Sequence, residues 1–236
     1  MKYSIALVAL FIAIAVVIGL VAAGDDEAPT AGEATPSTST SARTPGGPGT
    51  TTGPEPSALP RVVAGDPRRL GARGRAGVTF TEFLDFECEG CGAAFPLIEE
   101  LRKEYAGRVT FNIRYFPLPS HRNARNAALA VEAAHRQGKL EQMYVKMYET
   151  QREWGEQSDS KAELFRGFAR ELGLELNAYD AAVSDPRTAG RIQRDVDAGI
   201  ALGVQGTPTF FIGERRIEPQ SVEDLRSEID AALSGS

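Results

Sequence analysis

Cys88-Glu89-Gly90-Cys91 is the part of this chain whose residue types and spacing are best suited to chemistry. Two thiols three positions apart at the start of a helix can close a small disulfide. The first sulfur then faces amides that have no partner inside the helix and the positive end of the helix dipole, and both favour its thiolate. The thiolate is the species that attacks a disulfide. A second sulfur one turn further on can attack the mixed disulfide and release the product. The same spacing also fits half of a zinc site, a static disulfide or two unrelated core thiols. The chain has only two Cys and two His. A four-ligand Cys/His zinc site would therefore need Cys88, Cys91, His121 and His135 together, and a framework of several disulfides is excluded.

The elements that must position this pair are readable from their periodicity. Val78 to Phe86 is rich in β-branched and aromatic residues and predicts a buried strand that runs into the cysteines. Ala94, Ile98, Leu101 and Tyr105 recur at helical spacing, and Gly107 ends that helix. Val109, Phe111, Ile113 and Tyr115 alternate in a second strand, which Pro117 and Pro119 stop. A long helical block follows, with apolar stripes at Ala124 to Val131, Leu140 to Met147 and Leu164 to Leu172. Asp185-Pro186 predicts a capped helix start with Pro at its first position. Thr209 to Ile212 and Arg215 to Ile217, joined by Gly213-Glu214, predict a hairpin, and Ser221 to Asp224 a capping box for the last helix. The first strand-helix-strand unit predicts a parallel pair with a right-handed crossover. The result is an α/β fold, a central mixed sheet flanked by helices, with an all-helical insertion at about 120–203.

With these elements in place, the chain resembles the thioredoxin superfamily, and within it the membrane-anchored bacterial DsbA-like thiol–disulfide oxidoreductases. The resemblance rests on Phe83-Leu-Asp-Phe86 leading into the Cys88–Cys91 motif, on Pro96 five residues after the second Cys, on Gly206-Thr207-Pro208, and on the long helical block. Phe116 to Asn123 resembles the family's approach to that block. The resemblance implies a thioredoxin-like fold over about Val78 to Ser236, with Cys88 as exposed nucleophile and Cys91 as buried resolving thiol. It implies a cis Pro208, with Thr207 presenting its backbone to an extended substrate, and a helix kink at Pro96. It also implies that Glu82, six residues before Cys88, lies under the second thiol as a proton acceptor; a carboxyl buried there has a raised pKa.

One departure from the strongly oxidising members of that family is the Glu89-Gly90 dipeptide, where they carry a His. Glu87 precedes the motif as well. Two solvated carboxylates oppose a thiolate by about 1 kcal/mol each or less, comparable to the helix-terminus gain. The expected thiol pKa is therefore only moderately lowered, to about 6–8, with a potential of roughly −270 to −150 mV. His121 is expected to buttress the helical block and His135 to be partly exposed. Met143, Tyr144, Met147 and Tyr148 read as helical core or groove lining. Trp154 lies in a polar turn region with no assigned role.

The whole chain of 236 residues is 42% apolar and 25% charged with net charge −6, ordinary values for a folded protein that give no global attraction for nucleic acid. Ile5 to Ala23 is an unbroken run of apolar and glycine residues, about 28 Å long as a helix. With Lys2 before it and Asp25, Asp26 and Glu27 after it, residues 1–23 read as a membrane anchor that leaves the following chain outside the cytoplasm, a cleaved signal peptide being the rival reading. Residues 24–60 hold 7 Pro, 6 Gly, 4 Ser and 8 Thr and no large apolar residue before Leu59, which predicts a disordered tether. Residues 61–236 then form one domain. The combined reading is an extracytoplasmic enzyme that forms disulfides in exported proteins and is recycled by a membrane redox partner, with no cofactor or metal. The alternatives are a reductase or isomerase fed by a membrane electron donor, and a non-catalytic binding or chaperone module.

Overall fold

A computed structural model describes residues 61–62 and 65–235. The expected anchor at 1–23 and tether at 24–60 lie outside the described residues. Among the described residues no helix is long and apolar enough to cross a membrane. The domain contains a five-stranded sheet in the order β1-β3-β2-β4-β5. Its strands are β1 (Arg68–Leu70), β2 (Thr79–Leu84), β3 (Thr110–Tyr115), β4 (Thr209–Ile212) and β5 (Arg215–Ile217). β2 and β3 are parallel, with Glu82 opposite Ile113, and the other three pairings are antiparallel. The sheet is mixed, as the pattern predicts.

Helix α1 (Glu89–Glu104) forms the crossover between β2 and β3, and Gly107 leaves it with φ +71°. The insertion is helical from α2 (Ala124–His135) through α3 (Leu140–Glu149), α4 (Gln151–Trp154), α5 (Ala162–Glu171) and α6 (Leu176–Ser184) to α7 (Pro186–Ala201). Helix α8 (Val222–Ser234) closes the domain. The Asp185 side chain accepts from Arg187 N at the start of α7, and Ser221 accepts from Asp224 N at the start of α8. The Asp185 cap is as predicted; the box at 221–224 is half made, because Asp224 Oδ2 accepts from Gln220 N and not from Ser221 N.

One face of the sheet carries Phe80, Leu84, Phe111, Ile113 and Tyr115, which share a core with Ile98 and Leu101 of α1 and Leu225 and Ile229 of α8. Phe83 and Phe211 point to the other face, where they pack with Phe116, Val204 and Val62. Helix α7 covers that face closely: a Cβ at Gly199 would lie 2.7 Å from the Phe116 ring. Burial on both faces explains a difference from the strand pattern. The alternation in 109–116 predicts one covered face, yet all six residues of β3 are buried. Arg114 tolerates this because its Nε lies 2.7 Å from Asp195 of α7, whose other oxygen accepts from Tyr115 N and pairs with Arg191.

Strand β1 escapes the sequence pattern for a related reason. Three residues with two arginines do not read as a strand. Arg68 is nonetheless buried, because its Nε donates to the buried Glu132 at 2.7 Å, and Glu132 also accepts from the Tyr115 hydroxyl. Trp154 also departs from its expected place in a polar turn. It is fully buried, its ring 4.8 Å from Phe165 and its Nε1 donating to Met147 O.

Removing Asp195 strands two buried guanidinium groups. Asp195→Ala is expected to cost about 3–5 kcal/mol. Urea unfolding checks this, as a lower midpoint with an unchanged slope.

Candidate active site

The site is built where β2 ends and α1 begins. Cys88 is the N-cap of α1 with extended backbone (φ −66°, ψ 122°), and its carbonyl accepts the first helical bond from Gly92 N at 3.0 Å. Capping residues of this kind leave the next amides without helical acceptors. Here the amides of Gly90 and Cys91 turn to the Cys88 sulfur. Cys88 is partly exposed and Cys91 is buried, and both are free thiols. The Cys88 thiol lies 3.3 Å from Thr207 O, and the Thr207–Pro208 peptide is cis. Gly90 fits this approach: a Cβ there would lie 3.3 Å from Pro208 Cδ and 3.6 Å from Cys88 Sγ. The structure thus brings together Cys88, Cys91, Thr207 and Pro208. Pro96 lies on the exposed side of α1, which runs on through it to Glu104.

Glu82 is a deeply buried acid. It sits on the middle of β2, 2% exposed. Burial, and after it the charge of Cys88, push its pKa up to about 8. Burial likewise raises Cys91 well above an ordinary thiol, with the hydrogen bond to Cys88 and the Glu82 charge acting in the same direction. Cys88 moves the opposite way. The Cys91 thiol, Thr207 and the amides of Cys91 and Gly90 outweigh its partial burial and lower it to about 5.

That value corrects the expectation of 6–8, and the reason is where the two acids point. Glu87 is buried and its carboxylate is taken up by the helical block: it accepts from Asn123 N at 2.6 Å and Glu156 N at 3.0 Å. Glu89 is solvent-exposed in the first turn of α1. Neither opposes the thiolate as sequence proximity implies. The thiolate-favouring side of the ledger is also longer than a helix terminus alone, because the second thiol donates to it.

His121, expected to buttress the helical block, reaches instead to the cysteine turn. Its Nδ1 lies 2.7 Å from Asp85 Oδ2. Burial works against its cation, but Asp85 more than offsets this and holds its pKa above the ordinary value. His135 is partly buried near Arg68 and Glu132, and burial and Arg68 lower its pKa. Phe86, Phe95, Tyr144 and Tyr148 form an aromatic cluster with ring centroids 5.2–6.1 Å apart, a packed core beside the motif.

Two participants escape the sequence reading. Asp85 holds the turn: Oδ1 accepts from Glu87 N, Oδ2 from Leu118 N, and its carbonyl from Cys88 N. Gln151 donates from its Nε2 to both Phe86 O and Cys88 O, each at 2.8 Å. A signal for Gln151 exists in the sequence, because it continues the apolar stripe of Met147 and Trp154 at helical spacing. A polar residue on a buried stripe needs a buried partner.

A family profile described as thioredoxin matches residues 65–231, and the chain belongs to that family. Its fold is thioredoxin-like with DsbA-type structural neighbours. BdbD from Bacillus subtilis superposes with a TM-score of 0.64 at 20% identity, over 74% of this chain and 96% of that one. A thiol-disulfide exchange protein, alpha-DsbA2 from Wolbachia pipientis, gives 0.60 at 21% identity, over 72% and 89%. A thioredoxin-like oxidoreductase from Silicibacter pomeroyi gives 0.61 at 23% identity, over 72% and 94%. Among curated sequences, a Na(+)/H(+) antiporter, NhaA 3 of Salinispora tropica, is 38% identical over 179 residues, or 74% of this chain. The chain spans about a quarter (26%) of that relative's length.

The Glu82 shift sets a pH dependence of stability. The unfolded carboxyl ionises above about 4.5, whereas the folded one stays neutral up to about 8. Its contribution is therefore fully present below about pH 4.5 and is lost as pH rises through 8, a loss on the order of 4 kcal/mol. Glu82→Gln is expected to be more stable than the parent at pH 8 and to lose that advantage at pH 4, read from urea midpoints at the two pH values.

Proposed function

We propose that this domain is a thiol–disulfide oxidoreductase that forms disulfides in exported proteins. The observation that carries the reading is the Cys88 sulfur, partly exposed at the start of α1 with two amides and the Cys91 thiol turned toward it. In the oxidised form a substrate thiolate attacks Cys88 Sγ, the Cys88–Cys91 bond breaks, and Cys91 leaves with the electron pair. Glu82 is neutral at pH 7, because its pKa is about 8, and it gives Cys91 a proton. A second substrate thiolate attacks the substrate sulfur bound to Cys88. The substrate disulfide forms and Cys88 leaves as the thiolate its surroundings favour. Two electrons have then passed from the substrate to the Cys pair. A membrane redox partner, quinone-linked in proteins of this kind, accepts them and restores the disulfide. The main chain at Thr207, facing Cys88, is where an extended substrate would lie.

One feature favours this direction over reduction. A thiolate with pKa about 5 stabilises the dithiol form and so makes the disulfide a better oxidant. The apolar run 5–23, with Lys2 before it and the Pro/Thr-rich residues 24–60 after it, supports a membrane-anchored setting outside the cytoplasm. Relatives named as sodium/proton antiporters support a membrane setting for a domain of this kind.

Equilibration of residues 61–236 against glutathione is expected to give a potential near about −180 mV. A value of about −250 mV or below would instead indicate a reductase, and absence of exchange a binding module. Cys88→Ser is expected to abolish oxidation of a reduced, unfolded substrate protein, an activity a binding module would not have to lose. Glu82→Gln is expected to slow formation of the mixed disulfide at pH 7 by about tenfold or more.

A further inference from the structure

We propose that Gln151 is a positioning residue for the Cys88 thiolate, and that Gly92 is the cradle that admits it. This rests on Cys88 being the attacking sulfur.

The Cys88 sulfur projects from backbone that is held by what its neighbouring carbonyls bond, and α1, with the Gly90 and Cys91 amides, starts from that same backbone. Cys88 O takes Gly92 N on its helical side and Gln151 Nε2 on the other, at 3.0 and 2.8 Å. The same Nε2 donates to Phe86 O at 2.8 Å. Both hydrogens of one amide group are thus used, one on the carbonyl at the N-cap and one on the carbonyl two residues before it. Gln151 comes from α4, in the helical insertion, 63 residues from Cys88.

Gly92 supplies the second, independent observation. It stands in the first turns of α1, where glycine weakens a helix. A Cβ there would fall 2.0 Å from Gln151 Oε1 and 2.8 Å from its Cδ, and its three nearest atoms all belong to Gln151. Any larger residue at 92 has to push that side chain off its two carbonyls. The glycine is explained by Gln151, and the Gln151 side chain is explained by the two carbonyls.

The experiment compares the full-length chain with Gln151→Ala, the near-isosteric Gln151→Met, Gly92→Ala and the Gln151→Ala/Gly92→Ala double variant. The readouts are the thiolate absorbance of Cys88 against pH, the glutathione equilibrium and thermal unfolding. The ionisable groups around Cys88 (Cys91, Glu89, Glu82, Asp85, Glu87 and His121) are the same in every variant. Each single variant is expected to raise the Cys88 pKa by about one unit and to make the disulfide about tenfold less oxidising toward glutathione. The double variant is expected to go no further than Gln151→Ala. Gly92→Ala is expected to destabilise the parent but not the Gln151→Ala background. Lowered stability with an unmoved Cys88 pKa and glutathione equilibrium would reduce Gln151 to a structural strut and overturn the proposal. Additive effects of the two sites would overturn the pairing. A parent Cys88 that titrates as an ordinary thiol would overturn both this proposal and the proposed function, whereas a lowered parent value with unmoved variants would overturn this one alone.

Discussion

Four residues, Asp85 to Cys88, have to leave a buried strand, turn, and enter a helix without stranding a polar group. The Asp85 carboxylate, which is itself fully buried, makes this turn possible by taking Glu87 N, Leu118 N and His121 Nδ1, while its carbonyl takes Cys88 N. Glu87 continues the pattern, accepting the amides of Asn123 and Glu156. Every one of these partners beyond the turn itself belongs to the segment between β3 and β4. The helical insertion is therefore part of the mould that shapes the cysteine turn, and the position of the Cys88 sulfur depends on chain more than thirty residues away.

This arrangement sorts the acids near the motif by how they are solvated. Asp85 and Glu87 are buried, but each accepts at least two hydrogen bonds, so the protein replaces the water they lose. Glu82 has no such replacement, and burial dominates its shift to about 8. Paired acids hold the turn, and the unpaired one keeps a proton at neutral pH beside a thiol whose own pKa burial has raised. A neutral acid under a neutral thiol is the less costly way to bury both groups.

Much of this was legible in the residues. The strands 79–84 and 110–115, the helix after the cysteines, the insertion, the hairpin and its capped helix follow from periodicity and punctuation. The Cys pair follows from type and spacing, and Glu82 and Pro208 from the resemblance to the thioredoxin superfamily that the neighbouring residues carry. What was not legible depends on pairing across the fold. Strand β1 reads as two surface arginines until Glu132 is placed opposite Arg68. Arg114 reads as the outward residue of an alternating strand until Asp195 arrives from α7. Trp154 reads as a turn residue until Phe165 covers it. In each case a local pattern gave the polarity of a residue but not its partner, and the partner decided burial.

The Cys88 environment makes the same point in electrostatics. Counting acids along the chain places two negative charges beside the sulfur and argues for a modest thiolate. In space, Glu87 spends its charge on two amides of the helical block and Glu89 extends into solvent, where water screens it. The groups that reach the sulfur are the ones a charge count omits: two main-chain amides, a neighbouring thiol and Thr207. A dipeptide between two cysteines therefore tunes the first of them through the backbone geometry it permits as much as through its own charge. Gly90 illustrates this, since a Cβ there would lie 3.3 Å from Pro208 Cδ, a contact the neighbour relieves only by a small shift, and 3.6 Å from Cys88 Sγ, so its bare backbone sits against both.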